Sequence, residues 1–91
     1  MFKMGRLMAT NRITRHMDAS PKFEEFVRKS INRFINHDWG DISQDDKNLN
    51  DSAVKKRDDM ILASYEEDDT RIFIKTEWDR SVTTILFPDE Y

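Results

Sequence analysis

The chain has 91 residues, a net charge of −3 and no cysteine, and these properties exclude several classes of protein. A chain of this length is expected to form a single domain over residues 1–91. The lack of cysteine excludes a disulfide framework and thiolate metal sites. No apolar run approaches the roughly 18 residues of a membrane span, and the N-terminus lacks the apolar core of a signal peptide. We therefore expect a cytoplasmic protein with no membrane partner.

Charge is distributed unevenly along the chain. Residues 1–35 contain eight Lys and Arg against three Asp and Glu, whereas residues 36–91 contain seven against fifteen. Such an asymmetry is typical of an acidic surface that meets a basic partner, or of a basic arm that meets nucleic acid. The simplest interpretation is the ordinary solvation of a small domain.

The first part of the chain predicts a strand followed by a helix. Residues 3–9 are expected to be a strand or extended, and residues 10–16 a loop or a first helical turn. Alternatively, residues 1–17 form a mobile basic arm. Ser20 and Pro21 suit the N-cap and the first position of a helix over residues 21–36. The buried face of that helix recurs at spacings of three and four: Phe23, Phe26, Val27, Ser30, Ile31, Phe34 and Ile35.

The rest of the chain predicts a second helix and three strands. Ser43 with Asp46 is close to a capping box, and it begins a helix whose thin apolar face comprises Ile42, Leu49, Ala53 and Val54. Residues 60–65, 70–77 and 81–87 are rich in β-branched and aromatic side chains, with turn residues between them.

The predicted fold class is therefore α+β: two helices packed on a three- to four-stranded antiparallel sheet, in the order β-α-α-β-β-β. The first helix is expected to cover one face of the sheet, with the other face partly solvated. An exposed edge strand of such a sheet can pair two copies of the chain, so a homodimer is one prediction.

Catalytic and metal motifs are missing from the sequence. It contains no nucleophile elbow, no helical zinc motif and no glycine-rich phosphate loop, so we predict a protein that is not an enzyme and needs no cofactor. His37, Asp38 and Asp41 are close enough in sequence to suggest a divalent cation, but their spacing fits no known loop. The simpler interpretation makes Trp39 a plug between two helices, so no metal site is predicted. The sequence does not decide whether Trp39 and Trp78 lie in the core or at the surface.

Acidic residues give the strongest binding hypothesis. If the second helix and the turn at 66–69 share an exposed side, they form one negative surface. Carboxylates of such a surface can replace phosphates in an Arg- and Lys-rich groove, which predicts a protein partner with a basic nucleic-acid-binding surface. The alternative is a solvated face without a partner. The predicted binding residues are Asp41, Asp45, Asp46, Asp51, Glu66, Glu67, Asp68 and Asp69.

Basic residues near the N-terminus give the alternative hypothesis of nucleic-acid binding. Their side chains can meet phosphate oxygens, and Phe2 can lie against a base. An overall pI of about 5.3 argues against broad affinity for nucleic acid. The residues concerned are Lys3, Arg6, Arg12 and Arg15.

Several segments together resemble a family of small Firmicutes proteins labelled "plasmid-related protein", which are common on plasmids and other mobile elements. The resemblance is carried by residues 5–10 (GRLMAT), 38–41 (DWGD), 45–47 (DDK), 50–51 (ND), 76–81 (TEWDRS) and 83–91 (TTILFPDEY). It implies no catalytic residue, because the family has no assigned activity. It implies an accessory protein of mobile DNA, such as an inhibitor of a host defence system of the anti-CRISPR or anti-restriction kind.

Overall fold

A computed structural model describes residues 3–91 and gives an α+β fold with three helices on a four-stranded mixed sheet. The prediction of an α+β class is confirmed. The number of helices and the order are not, because the described elements run β-α-α-α-β-β-β. Their bounds are β1 Arg6–Ala9, α1 Asn11–Ala19, α2 Pro21–Ile35, α3 Gln44–Lys56, β2 Ile61–Glu67, β3 Thr70–Thr76, β4 Val82–Leu86 and a 3-10 turn Pro88–Glu90.

The sheet has the strand order β1-β4-β3-β2 and contains one parallel pair. β2 with β3, and β3 with β4, are antiparallel hairpins, as predicted. β1 pairs with β4 in parallel, from Arg6 opposite Val82 to Ala9 opposite Ile85, so the expectation of a fully antiparallel sheet is wrong. The direction of β1 is set by a partner at the other end of the chain, and the short sequence of β1 carries no signal for it.

α1 is the helix that the sequence did not predict. Its N-cap is Thr10, whose hydroxyl accepts a hydrogen bond from the Ile13 amide at 3.2 Å. Ile13 is its one fully buried residue, and Met17 packs against the core from its edge. Ile13 and Met17 lie one turn apart on its inner side, and two apolar positions are too few to distinguish a full helix from the loop or first helical turn expected at 10–16. From Arg6 onward, the stretch considered as a basic arm forms β1 and most of α1.

α2 supplies the cover of the sheet, as its apolar spacing predicted. The hydroxyl of Ser20 accepts a hydrogen bond from the Phe23 amide at 3.2 Å, and Pro21 occupies the first turn. The buried side of α2 carries Phe23, Phe26, Val27, Ser30 and Phe34. These pack onto alternate residues of the three hairpin strands, Ile61, Ala63, Tyr65, Ile72, Ile74 and Ile85.

The C-terminal residue lies against the opposite face of the sheet. Tyr91 meets Phe73 edge-on with ring centroids 5.9 Å apart, and the Lys75 ammonium lies 5.5 Å from the centre of the Tyr91 ring. The last residue therefore folds back onto the sheet. Among residues 3–91, no helix combines the length and the apolarity that crossing a bilayer requires.

Candidate binding surfaces

The linker between α2 and α3 attaches to the outer edge of β2. The Asp41 amide donates to the Ser64 carbonyl at 2.7 Å, and the Ser64 amide donates to the Trp39 carbonyl at 3.3 Å. Gly40 between them has a φ of 77°, and a Cβ at this position would clash with the Ser64 carbonyl oxygen. Only glycine lets the linker approach the strand this closely. Asp41 is thereby fixed beside the middle of β2.

Trp39 is a core residue, and it gives Asp51 a structural role. Its side chain is 2 % exposed, and its ring meets Phe34 edge-on at 5.4 Å. The Trp39 indole N–H donates to the Asp51 carboxylate at 2.9 Å. Asp51 was one of the predicted binding residues, and here it satisfies a donor that would otherwise be desolvated.

The apolar face predicted for α3 is confirmed except at Leu49, since Ala53 is buried and Ile42 and Val54 pack against the core. Leu49 is 65 % exposed, so its assignment to the buried face is wrong. Its neighbour Asn50 is buried beside Ala53, and the Asn50 side-chain amide donates to the Leu62 carbonyl at 2.9 Å and accepts from the Leu62 amide at 3.4 Å. An edge strand presents unpaired backbone groups, and Asn50 satisfies one pair of them. Ser43 caps the helix by accepting from the Asp46 amide at 3.1 Å, which leaves Asp45 and Asp46 exposed on its first turn.

The turn between β2 and β3 consists of Asp68 and Asp69. Both have a positive φ, 50° and 65°, and the turn is closed by Glu67 opposite Thr70. Two central residues of positive φ define the hairpin turn whose twist matches the strands. Lys22, at the start of α2, forms an ion pair with Asp68 at 2.5 Å, and this hydrogen bond holds the pKa of Asp68 below its usual value.

A shallow depression gathers the acids of this end of the sheet. We call it the acidic depression; its lining residues are Asp41, Glu66, Glu67, Asp68, Asp69 and Arg71. Glu66 is paired with Arg71 at 2.5 Å, and Asp68 with Lys22. The carboxylates of Asp41, Glu67 and Asp69 make no hydrogen bond or close ion pair within residues 3–91.

The eight predicted binding residues are therefore divided among three places. Five line the acidic depression: Asp41, Glu66, Glu67, Asp68 and Asp69. Asp45 and Asp46 are exposed at the start of α3, a few residues after Asp41, and do not line the depression. Asp51 is bound to Trp39.

The basic residues of the alternative hypothesis do not line one surface. Arg12 donates to both carboxylate oxygens of Asp89, at 3.0 and 2.8 Å, and lies over the Phe87 ring at 4.8 Å. Arg15 is exposed on α1, Arg6 is exposed on β1, and Lys3 lines a separate groove. Phe2 lies outside the described residues.

The segment suggested by the metal hypothesis is arranged for packing. The His37 ring stacks on Trp39 with 5.5 Å between centroids. Asp38 accepts two hydrogen bonds from Arg33, at 2.8 and 3.2 Å, which lower the pKa of its carboxyl. The Tyr65 hydroxyl donates to the Asp38 carbonyl at 2.7 Å, and burial raises the pKa of Tyr65. In the described part of the chain, no group of three or more side chains could hold a metal ion.

A second depression, which the sequence did not indicate, lies at the far end of α3. We call it the basic groove. It encloses about 830 Å³. Its residues come from four separate segments of the chain, so no local sequence pattern predicts the basic groove. They are Lys3, His37, Val54, Arg57, Trp78, Asp79 and Arg80.

Arg80 forms the floor of the basic groove. Its side chain is only 9 % exposed, and its guanidinium donates to four backbone carbonyls. The bond to Ala53, at 2.8 Å, engages the last turn of α3, and the bond to Asp59, at 2.7 Å, fixes the segment that leads into β2. The negative end of the helix dipole favours a cation at this point. Arg80 therefore joins α3, β2 and the β3–β4 turn.

No family model, curated protein or solved structure matches this chain. Arguments about its function therefore depend on the two depressions and on the residues that line them.

Proposed function

We propose that the chain is a non-catalytic binding protein of mobile genetic elements that inhibits a host defence system, of the anti-CRISPR or anti-restriction kind. The acidic depression is the contact, and the partner is a protein with a basic nucleic-acid-binding surface. The observation that carries the proposal is the gathering of five carboxylates, three of which make no hydrogen bond or ion pair with another residue of 3–91. The setting on mobile DNA comes from the family resemblance.

The mechanism is occlusion of the partner's nucleic-acid site. Arginine forks bind carboxylates in the same bidentate manner as they bind phosphates. The backbone that carries these carboxylates is also preorganised, because the Asp41 amide is anchored on Ser64 and the Asp68–Asp69 turn is tied to α2 through Lys22. Preorganisation reduces the entropy that is lost on binding.

The test removes charge from the three acids without a partner. In the triple variant Asp41→Asn, Glu67→Gln and Asp69→Asn, we expect affinity for the partner to fall by about tenfold or more, since each desolvated charge-assisted bond contributes roughly 1.5–3 kcal/mol. The partner is captured from host lysate with the tagged full chain, and affinity is then measured with the purified partner. DNA should displace the wild-type chain from it.

A matched control removes the same charge elsewhere. Asp18, Glu25 and Asp58 are exposed and form no hydrogen bond or ion pair in the described chain. Their triple variant, Asp18→Asn, Glu25→Gln and Asp58→Asn, should bind as the wild type does. The proposal is wrong if both variants bind equally at low salt, or if DNA and the chain occupy the partner together.

Nucleic-acid binding through Lys3, Arg6, Arg12 and Arg15, as a plasmid accessory protein, has less support. Arg12 is already paired with Asp89, and Lys3 lines a different depression from Arg12 and Arg15.

A further inference from the structure

The basic groove is a concentration of positive charge in a chain whose net charge is −3. We propose that it binds a nucleoside phosphate unit, with the base stacked on Trp78 and the phosphate held by Arg57 and Lys3. This site is separate from the acidic depression. The inference therefore goes beyond the proposed function and is tested independently of it.

Trp78 is the first observation. Its side chain is 64 % exposed, whereas Trp39 in the core is 2 % exposed. The Trp78 indole makes no hydrogen bond and no ring contact with any residue of 3–91. Its backbone is nevertheless fixed, because its carbonyl accepts from Arg80 at 3.2 Å. An exposed aromatic face on a fixed backbone suits the stacking of a base.

The backbone at the basic residues is the second observation. Arg57 is the C-cap of α3, with a φ of 58°, and His37 and Arg80 have φ values of 63° and 62°. Glycine is the usual residue at such positions, because the left-handed conformation costs other residues roughly 1–2 kcal/mol of conformational free energy. Three basic or imidazole side chains therefore occupy strained positions around one groove.

The balance of charge is the third observation. Arg57 and Lys3 form no ion pair within the described residues. Asp79 is the one acid of the groove, and its carboxylate accepts a hydrogen bond from the Ser81 amide at 3.0 Å within the turn. The buried Arg80 adds a fixed positive charge beneath the surface. The groove thus attracts an anion.

Aromatic and cationic side chains together distinguish the ligand class. An acidic peptide would use the cations but has no need of the indole face, whereas a nucleotide uses both. The groove, at about 830 Å³, falls within the range of roughly 300–1,000 Å³ for small-molecule sites. The nucleoside phosphate is either a free nucleotide or one nucleotide of a single-stranded nucleic acid, and the competition experiment distinguishes the two.

The experiment measures fluorescence anisotropy of a labelled oligothymidylate of about ten nucleotides with the full chain at low salt. We expect saturable binding by the wild type. Trp78→Ala should weaken it by about tenfold, the loss of one stacked base. Arg57→Gly should weaken it at least several-fold while the thermal midpoint stays equal or rises, because glycine relieves the strained backbone.

Two control variants carry matched changes outside the groove. Leu49→Ala removes an exposed apolar side chain from α3, and Lys29→Ala removes one unpaired positive charge from α2. Both should bind the strand as the wild type does. Weakening of equal size in Lys29→Ala and Arg57→Gly would overturn the site, because binding would then follow net charge alone.

Competitors identify the source of the nucleoside phosphate. Displacement by AMP supports a free nucleotide, and displacement by unlabelled strand but not by AMP supports a single strand. The proposal is overturned if neither the strand nor AMP binds the wild type, or if Trp78→Ala and Arg57→Gly bind normally. Equal displacement by polyglutamate would also overturn it, since the groove would then recognise charge without a base.

Discussion

The acidic depression and the basic groove differ in charge but share one feature of the backbone. Five non-glycine residues of the described chain have a positive φ, and all five line one of these two surfaces. Asp68 and Asp69 belong to the acidic depression, and His37, Arg57 and Arg80 to the basic groove. Glycine adopts this conformation at least cost. Arg80 is held there by its hydrogen bonds to four backbone carbonyls, whereas the charged groups of Arg57 and Asp69 make no hydrogen bond or ion pair within residues 3–91. We infer that these two charged side chains are kept for a purpose other than folding.

The two surfaces also differ in how they are held. The acidic depression is supported by exposed ion pairs, Lys22 with Asp68 and Arg71 with Glu66. Such pairs contribute little to stability. The basic groove is supported by a buried guanidinium that donates to four carbonyls. Loss of that guanidinium should therefore damage the fold, whereas loss of an acidic pair should not.

Arg80→Ala is expected to have the largest effect. It removes the buried guanidinium that ties the last turn of α3 and the segment before β2 to the β3–β4 turn, and we expect the free energy of unfolding to fall by roughly 3–5 kcal/mol. Urea denaturation followed by circular dichroism gives this value, with Arg71→Ala in the acidic depression as the matched control. A loss below about 1 kcal/mol would contradict the role of Arg80 as the junction of three elements.

The Asp51→Ala variant should show that Asp51 stabilises the fold more than an exposed acid of the same helix does. It removes the carboxylate that accepts from the buried Trp39 N–H, so we expect a loss of about 1–2 kcal/mol in the free energy of unfolding. Asp45→Ala, on the exposed first turn of the same helix, should lose about 0.5 kcal/mol through the helix dipole. Equal losses in the two variants would show that the indole bond is unimportant.

Acid should destabilise the chain through Asp38. Its folded pKa is lowered, chiefly by the hydrogen bonds from Arg33, so its contribution is complete above the unfolded pKa of about 3.9. The contribution is lost as the pH falls through the lower folded value, because the unfolded chain then binds more protons. Thermal melts between neutral pH and about pH 2.5 should show a smaller drop in Asp38→Asn. A parallel profile in both chains would contradict this cause. The effect is modest, since the pair is exposed to solvent.

The elements that the sequence predicted are those with local patterns. The core face of α2 repeats at helical spacing, and β2, β3 and β4 follow their β-branched segments. α1 was not predicted as a helix because Ile13 is its one fully buried residue. On α3 the prediction holds for Ile42, Ala53 and Val54 and is wrong for Leu49, because the edge of β2 takes the hydrogen-bonding side chain of Asn50 beside Ala53.

The surfaces were predictable only in part, for a similar reason. The acids of the β2–β3 turn are adjacent in sequence, so their grouping could be predicted. The position of Asp41 close to them depends on the tight approach of the α2–α3 linker to β2, which requires glycine at position 40. The basic groove combines residues from the N-terminus, the ends of α2 and α3 and the β3–β4 turn. These residues are brought together by the topology of the fold. That topology includes the parallel pairing of β1 with β4, which the sequence did not predict.

The most direct test of the link between strain and charge is the free energy of unfolding of the double variant Arg57→Gly and Asp69→Gly. One substitution lies in each surface, at a backbone φ of 58° and 65°. If these side chains serve binding, the double variant should be as stable as the wild type or more stable by up to about 1–2 kcal/mol in urea denaturation. A loss of more than about 1 kcal/mol would show that the charged side chains support the fold itself, and would contradict the account.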